Sequence, residues 1–315
     1  MSKEAVEKFY EALENTEALR QQVKVITTEE ELVKLGANHG YCFTKKDIAA
    51  ANASYVPKSD KPLISIDCSE SASDKGFPHA YHYEFKFSEI PGFEKIAEEV
   101  GKLKIKPDTV DIGLYEKSFW EANLKFADVS PADPEFQQRY LKSLRSYLDQ
   151  GVASSQPEYA WSQFHLINLD RYVDHSLYDD YFRTKVKLIE LLEEFFGAEI
   201  RFSGSLWYPP NAYRMWHTNE TQPGWRMYCV DFDRCEFNGD GKPFFRYMNP
   251  ETKELVTLEE KPKVVRFFKI ESEPHKLLWH CIVNKTQANR WSFGFNVSDQ
   301  WMNKLLKPKV KLTAN

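Results

Sequence analysis

The 315-residue chain is poor in glycine, with 13, and has only 5 cysteines and 5 methionines. So little glycine, without a Gly-x-y period, excludes a collagen-like or low-complexity chain. The cysteines (Cys42, Cys68, Cys229, Cys235 and Cys281) form no Cys-x-x-Cys pair, and the N-terminus MSKEAVEKFYEALE has neither a basic n-region nor an apolar h-region. An odd cysteine count without a secretory signal points to reduced thiols and a cytoplasmic protein. No apolar run is long enough to span a membrane. Lys plus Arg is 42 against 47 Asp plus Glu, a net charge of −5 with no basic cluster, which argues against a nucleic-acid partner. Walker, GxGxxG, GxSxG and HExxH motifs are all missing.

Aromatic residues, by contrast, are abundant: 22 Phe, 16 Tyr and 8 Trp, 15% of the chain, with seven of the tryptophans after residue 160. Large rings bury area and favour strands, so the main core is expected in a β-rich C-terminal half. Residues 2–21 read as an amphipathic helix with Val6, Phe9, Tyr10 and Leu13 on one face. Thr28-Glu-Glu-Glu31 has the form of a capping box, opening a second helix that stops near Gly40, and Thr44 could cap a third. Helices are also expected over 90–103, 134–149 and 176–197, and a strand over 80–87. From residue 199 short strands alternate with turn signals such as Asn238-Gly239, Asp240-Gly241 and Asn249-Pro250. The expected strands are 199–207, 213–219, 225–232, 243–248, 254–258, 263–270, 277–284 and 290–297. Eight short strands of this kind suggest a double-sheet jelly roll or cupin-like barrel.

The run FYEALENTEALRQQV…TEEELVKLGANHGYCFTKKDI resembles the leader-peptide domain of the Nif-eleven type. Members of that family carry this domain ahead of a small core peptide that enzymes mature. No double-glycine-type cleavage site follows here, and a long folded segment does, which argues against a precursor-peptide role. Residues 1–56 then read either as a docking appendage or as a domain that recruits a peptide or protein substrate.

Of 8 histidines, two stand out by context. His217 lies in Trp-Tyr-Pro-Pro-Asn-Ala-Tyr-Arg-Met-Trp-His-Thr-Asn219-Glu220. His280 lies in Leu-Leu-Trp-His-Cys-Ile-Val-Asn284-Lys-Thr286-Gln-Ala-Asn-Arg290-Trp-Ser292. Strand alternation places His217 with Asn219, Leu278 with His280 and Ile282, and Arg290 with Ser292. Two inward imidazoles can hold a ferrous ion with open positions. An inward arginine needs an anion, and its fork matches a carboxylate at two points. His79 and His82 have no acidic or cysteine partner nearby and read as loop and strand residues; Cys229 and Cys235 lack zinc or redox spacing.

This pattern resembles the 2-oxoglutarate- and iron(II)-dependent dioxygenase superfamily, whose signature is His-x-Asp/Glu, a distant His and an Arg about ten positions on. The resemblance implies a double-stranded β-helix with Fe(II), 2-oxoglutarate and O2 as cofactor and cosubstrates. His217 and His280 are the implied iron ligands. Arg290 and Ser292 would grip the distal carboxylate of 2-oxoglutarate, with Tyr208, Tyr228 and Arg226 as further cosubstrate contacts. At 219 the family expects a carboxylate and this chain has Asn219, so the third ligand could be the Asn219 amide oxygen, Glu220, water or a halide. Alternation points Glu220 away from His217. His280-x-x-x-Asn284-x-Thr286-x-x-x-Arg290 is similar to the two-histidine branch of aspartyl/asparaginyl hydroxylases.

The expectation is therefore an α+β chain: a three-helix domain at 1–56, then 57–315, with a mixed buttress at 57–198 and a β-barrel core at 199–300. Its expected activity is hydroxylation of a peptide or protein side chain. The alternatives are a hydroxylase of amino acids or lipids, or a non-catalytic cupin-like binding protein with a degenerate metal site. Tyr208, Trp216, Tyr228, Trp279 and Trp291 are expected to wall the site. The oligomeric state is left open.

Overall fold

The computed structural model describes residues 2–54, 82–138, 140, 164–220, 222–234, 237, 241–299 and 302. His79, Cys68, Cys235, most of the 134–149 helix and the Asn238-Gly239 and Asp240-Gly241 turns lie wholly or partly outside them.

The N-terminal segment forms four short helices where three were expected: α1 (Ser2–Asn15), α2 (Glu17–Val23), α3 (Glu29–Asn38) and α4 (Lys45–Ser54). The first expected helix breaks at Thr16, which is extended (φ −129°) and caps α2 without a side-chain bond. Thr28 Oγ1 accepts from the Glu31 backbone N–H at 3.3 Å, as the capping-box form predicts, but the Glu31 carboxylate reaches the N–H of Thr27 rather than Thr28. Gly40 (φ 83°) takes the left-handed backbone that ends α3. Val6, Phe9, Leu19, Leu35, Phe43 and Ile48 make a small core of their own.

Two further helices follow, α5 (Glu94–Lys102) and α6 (Ile112–Lys117), then the long α7 (Tyr178–Phe196), ended by Gly197 at φ 64°. Leu188, Ile189, Leu192 and Phe196 of α7 are buried against the outer face of the larger sheet. The same helix carries Lys185, 0% exposed, whose Nζ lies 2.8 Å from Glu31 on α3 and 3.0 Å from Asp170. This buried triad ties the N-terminal helices to the rest of the molecule. Thr28 Oγ1 to the Asp170 carbonyl (2.7 Å), Lys34 to the Val173 carbonyl (2.6 Å) and Lys24 to Glu193 (2.8 Å) reinforce it.

All eight strands expected after residue 199 are present within a few residues: β4 (Arg201–Tyr208), β5 (Tyr213–His217), β6 (Gly224–Phe232), β7 (Phe244–Met248), β8 (Leu255–Glu259), β9 (Val264–Ile270), β10 (His280–Val283) and β11 (Arg290–Val297). Three earlier strands, β1 (His82–Lys86), β2 (Phe164–His165) and β3 (Ile167–Asn168), extend the same sheets. The orders are β1-β9-β6-β11-β4-β3 and β2-β5-β10-β7-β8, and all pairings are antiparallel. From β4 to β11 the chain changes sheet at every step except the β7–β8 hairpin. The α+β class follows directly. The inner faces meet through Tyr208, Phe268 and Ile270 on one side and Phe245, Tyr247 and Ile282 on the other. No helix among the described residues is long and apolar enough to cross a membrane.

Candidate metal centre

β5 and β10 are neighbours, and their register sets His217 opposite His280. A bulge lies between this pair and the next, Ile282 opposite Arg214, so Arg214 shares the inner face of His217 although the two are three residues apart. The imidazole centroids stand 4.0 Å apart. Each ring is anchored in the same way: His217 Nδ1 lies 2.7 Å from the Met215 carbonyl and His280 Nδ1 lies 2.9 Å from the Leu278 carbonyl. A carbonyl only accepts, so each Nδ1 carries the proton and each Nε2 keeps its lone pair. Burial, helped by Arg214 and His280, holds His217 well below the usual imidazole range, and burial pushes His280 down to about 3. Both rings are neutral at physiological pH, the form that ligates metal. His217 Nε2 is buried with no hydrogen-bond partner, a costly state that a metal ion would relieve. The residues present therefore fit a divalent ion held by two imidazoles.

Among the described residues, no third His, Cys, Asp or Glu joins the pair. β5 ends at His217, so alternation does not carry through to Asn219, which has a left-handed backbone (φ 59°). Its amide oxygen accepts from Arg214 Nη2 at 3.1 Å. The same guanidinium lies 5.3 Å from the ring centre of Phe164, which packs edge-on against His217. Glu220 is felt electrostatically by Tyr140.

Arg290, on β11, does share a face with Ser292, and both are buried. Its guanidinium sits 4.5 Å over the ring of Tyr208, its partner on β4. Its fork, however, is filled by a residue absent from the sequence reading: Nε donates to Glu260 Oε2, and Nη2 to Glu260 Oε1 at 2.8 Å. Glu260 also accepts from Arg266 Nη1 at 2.7 Å, and Arg266 reaches Glu84 at 2.8 Å. The two-point grip that the resemblance would give to the 2-oxoglutarate carboxylate is thus taken by Glu260 in this structure. In Leu-Glu-Glu-Lys, Glu260 looks like a solvated turn residue, yet its side chain is 0% exposed while that of Glu259 is 47% exposed. A signal existed in Arg266, which alternates with Phe268 and Ile270 on an inward face and so required an anion.

Tyr228 stacks on Phe268 at 5.1 Å within the inner face. Arg226 is buried but turned onto the β5–β6 connection, donating to the Gln222 carbonyl at 2.6 Å. The tryptophans do not wall the interior. Trp216 and Trp279 belong to an outer cluster with Phe136, and Trp291 stacks with Trp207 toward the helices, because each alternates with an inward neighbour. Asn284 and Thr286 are scaffold. Asn284 Nδ2 donates to the carbonyls of Tyr208, Pro209 and Ala288, and its Oδ1 accepts from Thr286 Oγ1 at 2.7 Å. One buried amide thereby locks the β10–β11 turn to the β4–β5 turn, and with them His280, Arg290 and the start of β5. His82 packs on Tyr247, and His275 is exposed beside Glu273.

Residues 1–48 match the Nif11 domain. No curated protein matches the chain in sequence. Among solved structures, a prolyl-4-hydroxylase from Pseudomonas putida is 13% identical, with 54% of this chain and 90% of that one aligned at a TM-score of 0.28. A Trichoplax adhaerens prolyl hydroxylase bound to a hypoxia inducible factor peptide fragment is 11% identical over 65% of this chain and 99% of that one, at 0.26. A collagen prolyl hydroxylase from Paramecium Bursaria Chlorella virus-1, in complex with 2OG, is 14% identical over 35% and 73%, at 0.24. These likenesses are too slight to assign chemistry. At the family level, then, the chain carries a Nif11-type N-terminal segment ahead of a two-sheet α+β body.

Proposed function

We propose that the protein is a non-haem iron(II) oxygenase of double-stranded β-helix type that uses a 2-oxo acid and hydroxylates a peptide or protein side chain. The observation that carries this reading is the buried pair His217–His280, in register on β5 and β10, with both Nδ1 atoms anchored and the His217 Nε2 unpartnered. In this class the bound iron supplies the redox chemistry by which O2, a 2-oxo acid and an R–H bond give CO2, the acid one carbon shorter and R–OH. The chain's own residues orient and insulate. The Met215 and Leu278 carbonyls fix the imidazole tautomers, as outer partners of metal-binding histidines do. Arg214 engages the Asn219 amide oxygen and adds positive charge beside the two imidazoles, which favours an anionic group there. Phe245, Phe268 and Tyr208 line the inter-sheet space and exclude water.

An anaerobic Fe(II) titration tests the centre: one ion per chain in the wild type, and no tight binding in His217→Ala or His280→Ala. Aerobic incubation with a 2-oxo acid and a peptide library then tests the substrate class, through peptides heavier by one oxygen atom. Failure of both metal binding and 2-oxo acid consumption sinks the reading in favour of a non-catalytic cupin-like protein. Peptide recruitment by the helical domain follows only from the resemblance of residues 1–56 to a leader-peptide domain. The Glu31–Lys185–Asp170 triad favours a second, structural role for that domain.

A further inference from the structure

The Arg290 fork already holds a carboxylate. Glu260 meets both the Nε and Nη2 edges of the guanidinium, the two-point grip that an incoming carboxylate would need. It is shared with Arg266, which is in turn bound by Glu84. Two cations and two anions, of which only Glu84 is part-exposed, leave this cluster with no surplus positive charge. One donor is left over: Arg290 Nη1 is buried and has no partner.

A second carboxylate entering this space would either have to expel Glu260 from between two arginines or remain as an uncompensated buried anion, and both are costly. A neutral acceptor, such as the carbonyl of an ester, ketone or amide, would pair with the Nη1 group and leave the charge balance untouched. We infer that Glu260 is a specificity-determining residue, a resident carboxylate that makes the site select a 2-oxo acid with an uncharged, hydrogen-bond-accepting tail over the dicarboxylate 2-oxoglutarate. This inference rests on the 2-oxo acid reading proposed above. Glu260 acts by filling the Arg290 subsite and touches no reacting atom.

Equilibrium binding to the full-length protein loaded with Ni(II), which removes turnover from the measurement, provides the test. The ligands are 2-oxoglutarate and its C5 methyl ester, which have the same chain and differ in the charge of the tail. The expected result is a wild-type preference for the ester of about tenfold or more. Glu260→Gln, which frees the charge of Arg290 and keeps the side-chain shape, should shift the ratio toward 2-oxoglutarate by a similar factor. A wild-type preference for 2-oxoglutarate overturns the inference and leaves the oxygenase reading standing, and so does a ratio that Glu260→Gln does not move. If Ni(II) binds and neither 2-oxo acid does, the 2-oxo acid reading falls and this inference with it. Should Glu260→Gln fail to fold, the wild-type comparison alone decides.

Discussion

Asn284 is the single side chain on which most of the site geometry converges. Three of its hydrogen bonds go to backbone carbonyls on both sides of the β4–β5 and β10–β11 turns, and its own N–H donates to the Ala212 carbonyl at 2.8 Å. Asn284→Ala removes the side-chain bonds to the Tyr208, Pro209 and Ala288 carbonyls and the acceptor of Thr286 Oγ1, all in a buried setting, so it should cost about 2–4 kcal/mol in a denaturant melt. Because the same turns set β5 and β10, the variant should also bind Fe(II) more weakly than the wild type; a variant that melts lower but binds metal unchanged would separate the two roles. The histidines and Arg290 were legible at this scale because a polar side chain on an inward strand face calls for a partner. The identity of that partner was not legible, and Glu260 shows why. A glutamate in a charged turn carries no local mark of burial, and the Arg290–Glu260 bond joins residues thirty positions apart.

The contact between α3 and α7 is an ionic one in a dry setting. Lys185 is shared by Glu31 and Asp170, all three at 0% exposure, and Tyr181 Oη adds a bond to Asp170 at 2.7 Å. One cation against two carboxylates leaves an excess negative charge. Burial foremost, and then Asp170, push the Glu31 carboxyl up to about 7. Its ordinary value is 4.5, so between pH 4.5 and 7 the folded chain holds a proton that the unfolded chain has released. The contribution of this group to stability is therefore greatest below that window and declines as pH rises through it. Glu31→Gln should flatten this decline, so the difference between variant and wild-type urea midpoints should grow in the variant's favour from pH 4.5 to 7. Lys185→Met removes the cation and strands two buried carboxylates; a loss of about 3–5 kcal/mol at neutral pH is expected in the same measurement. The Thr28 cap of α3, the Thr44 cap of α4 and the Gly197 stop of α7 lie where local chemistry placed them. The break at Thr16 was missed because the apolar spacing runs on across it.

For the whole molecule, the N-terminal helices are built into the body. Deleting residues 1–56 would uncover Lys185 and Asp170 and remove the Lys24 carbonyl that accepts from the Phe202 N–H at 3.1 Å on β4. The truncated chain should lose its cooperative thermal transition or melt well below the full chain. A truncation that melts normally would show that the triad contributes little and would make the deletion a clean test of peptide recruitment. Peptide binding is better probed in the full chain, by charge reversal at Glu11 and Glu14, which are exposed or nearly so on α1.

The sequence by itself determined the class and count of the C-terminal strands, the helix caps and the two histidines, because periodicity, turn chemistry and capping act over a few residues and leave local marks. Only the tertiary structure decided the β5–β10 register that faces His217 with His280, the bulge that brings Arg214 beside them and the filling of the Arg290 fork by Glu260. The burial of Lys185 between two carboxylates belongs with these. All are pairings between distant segments, set by how sheets and helices stack in a low-dielectric interior, where a charge must find its partner wherever in the chain that partner lies.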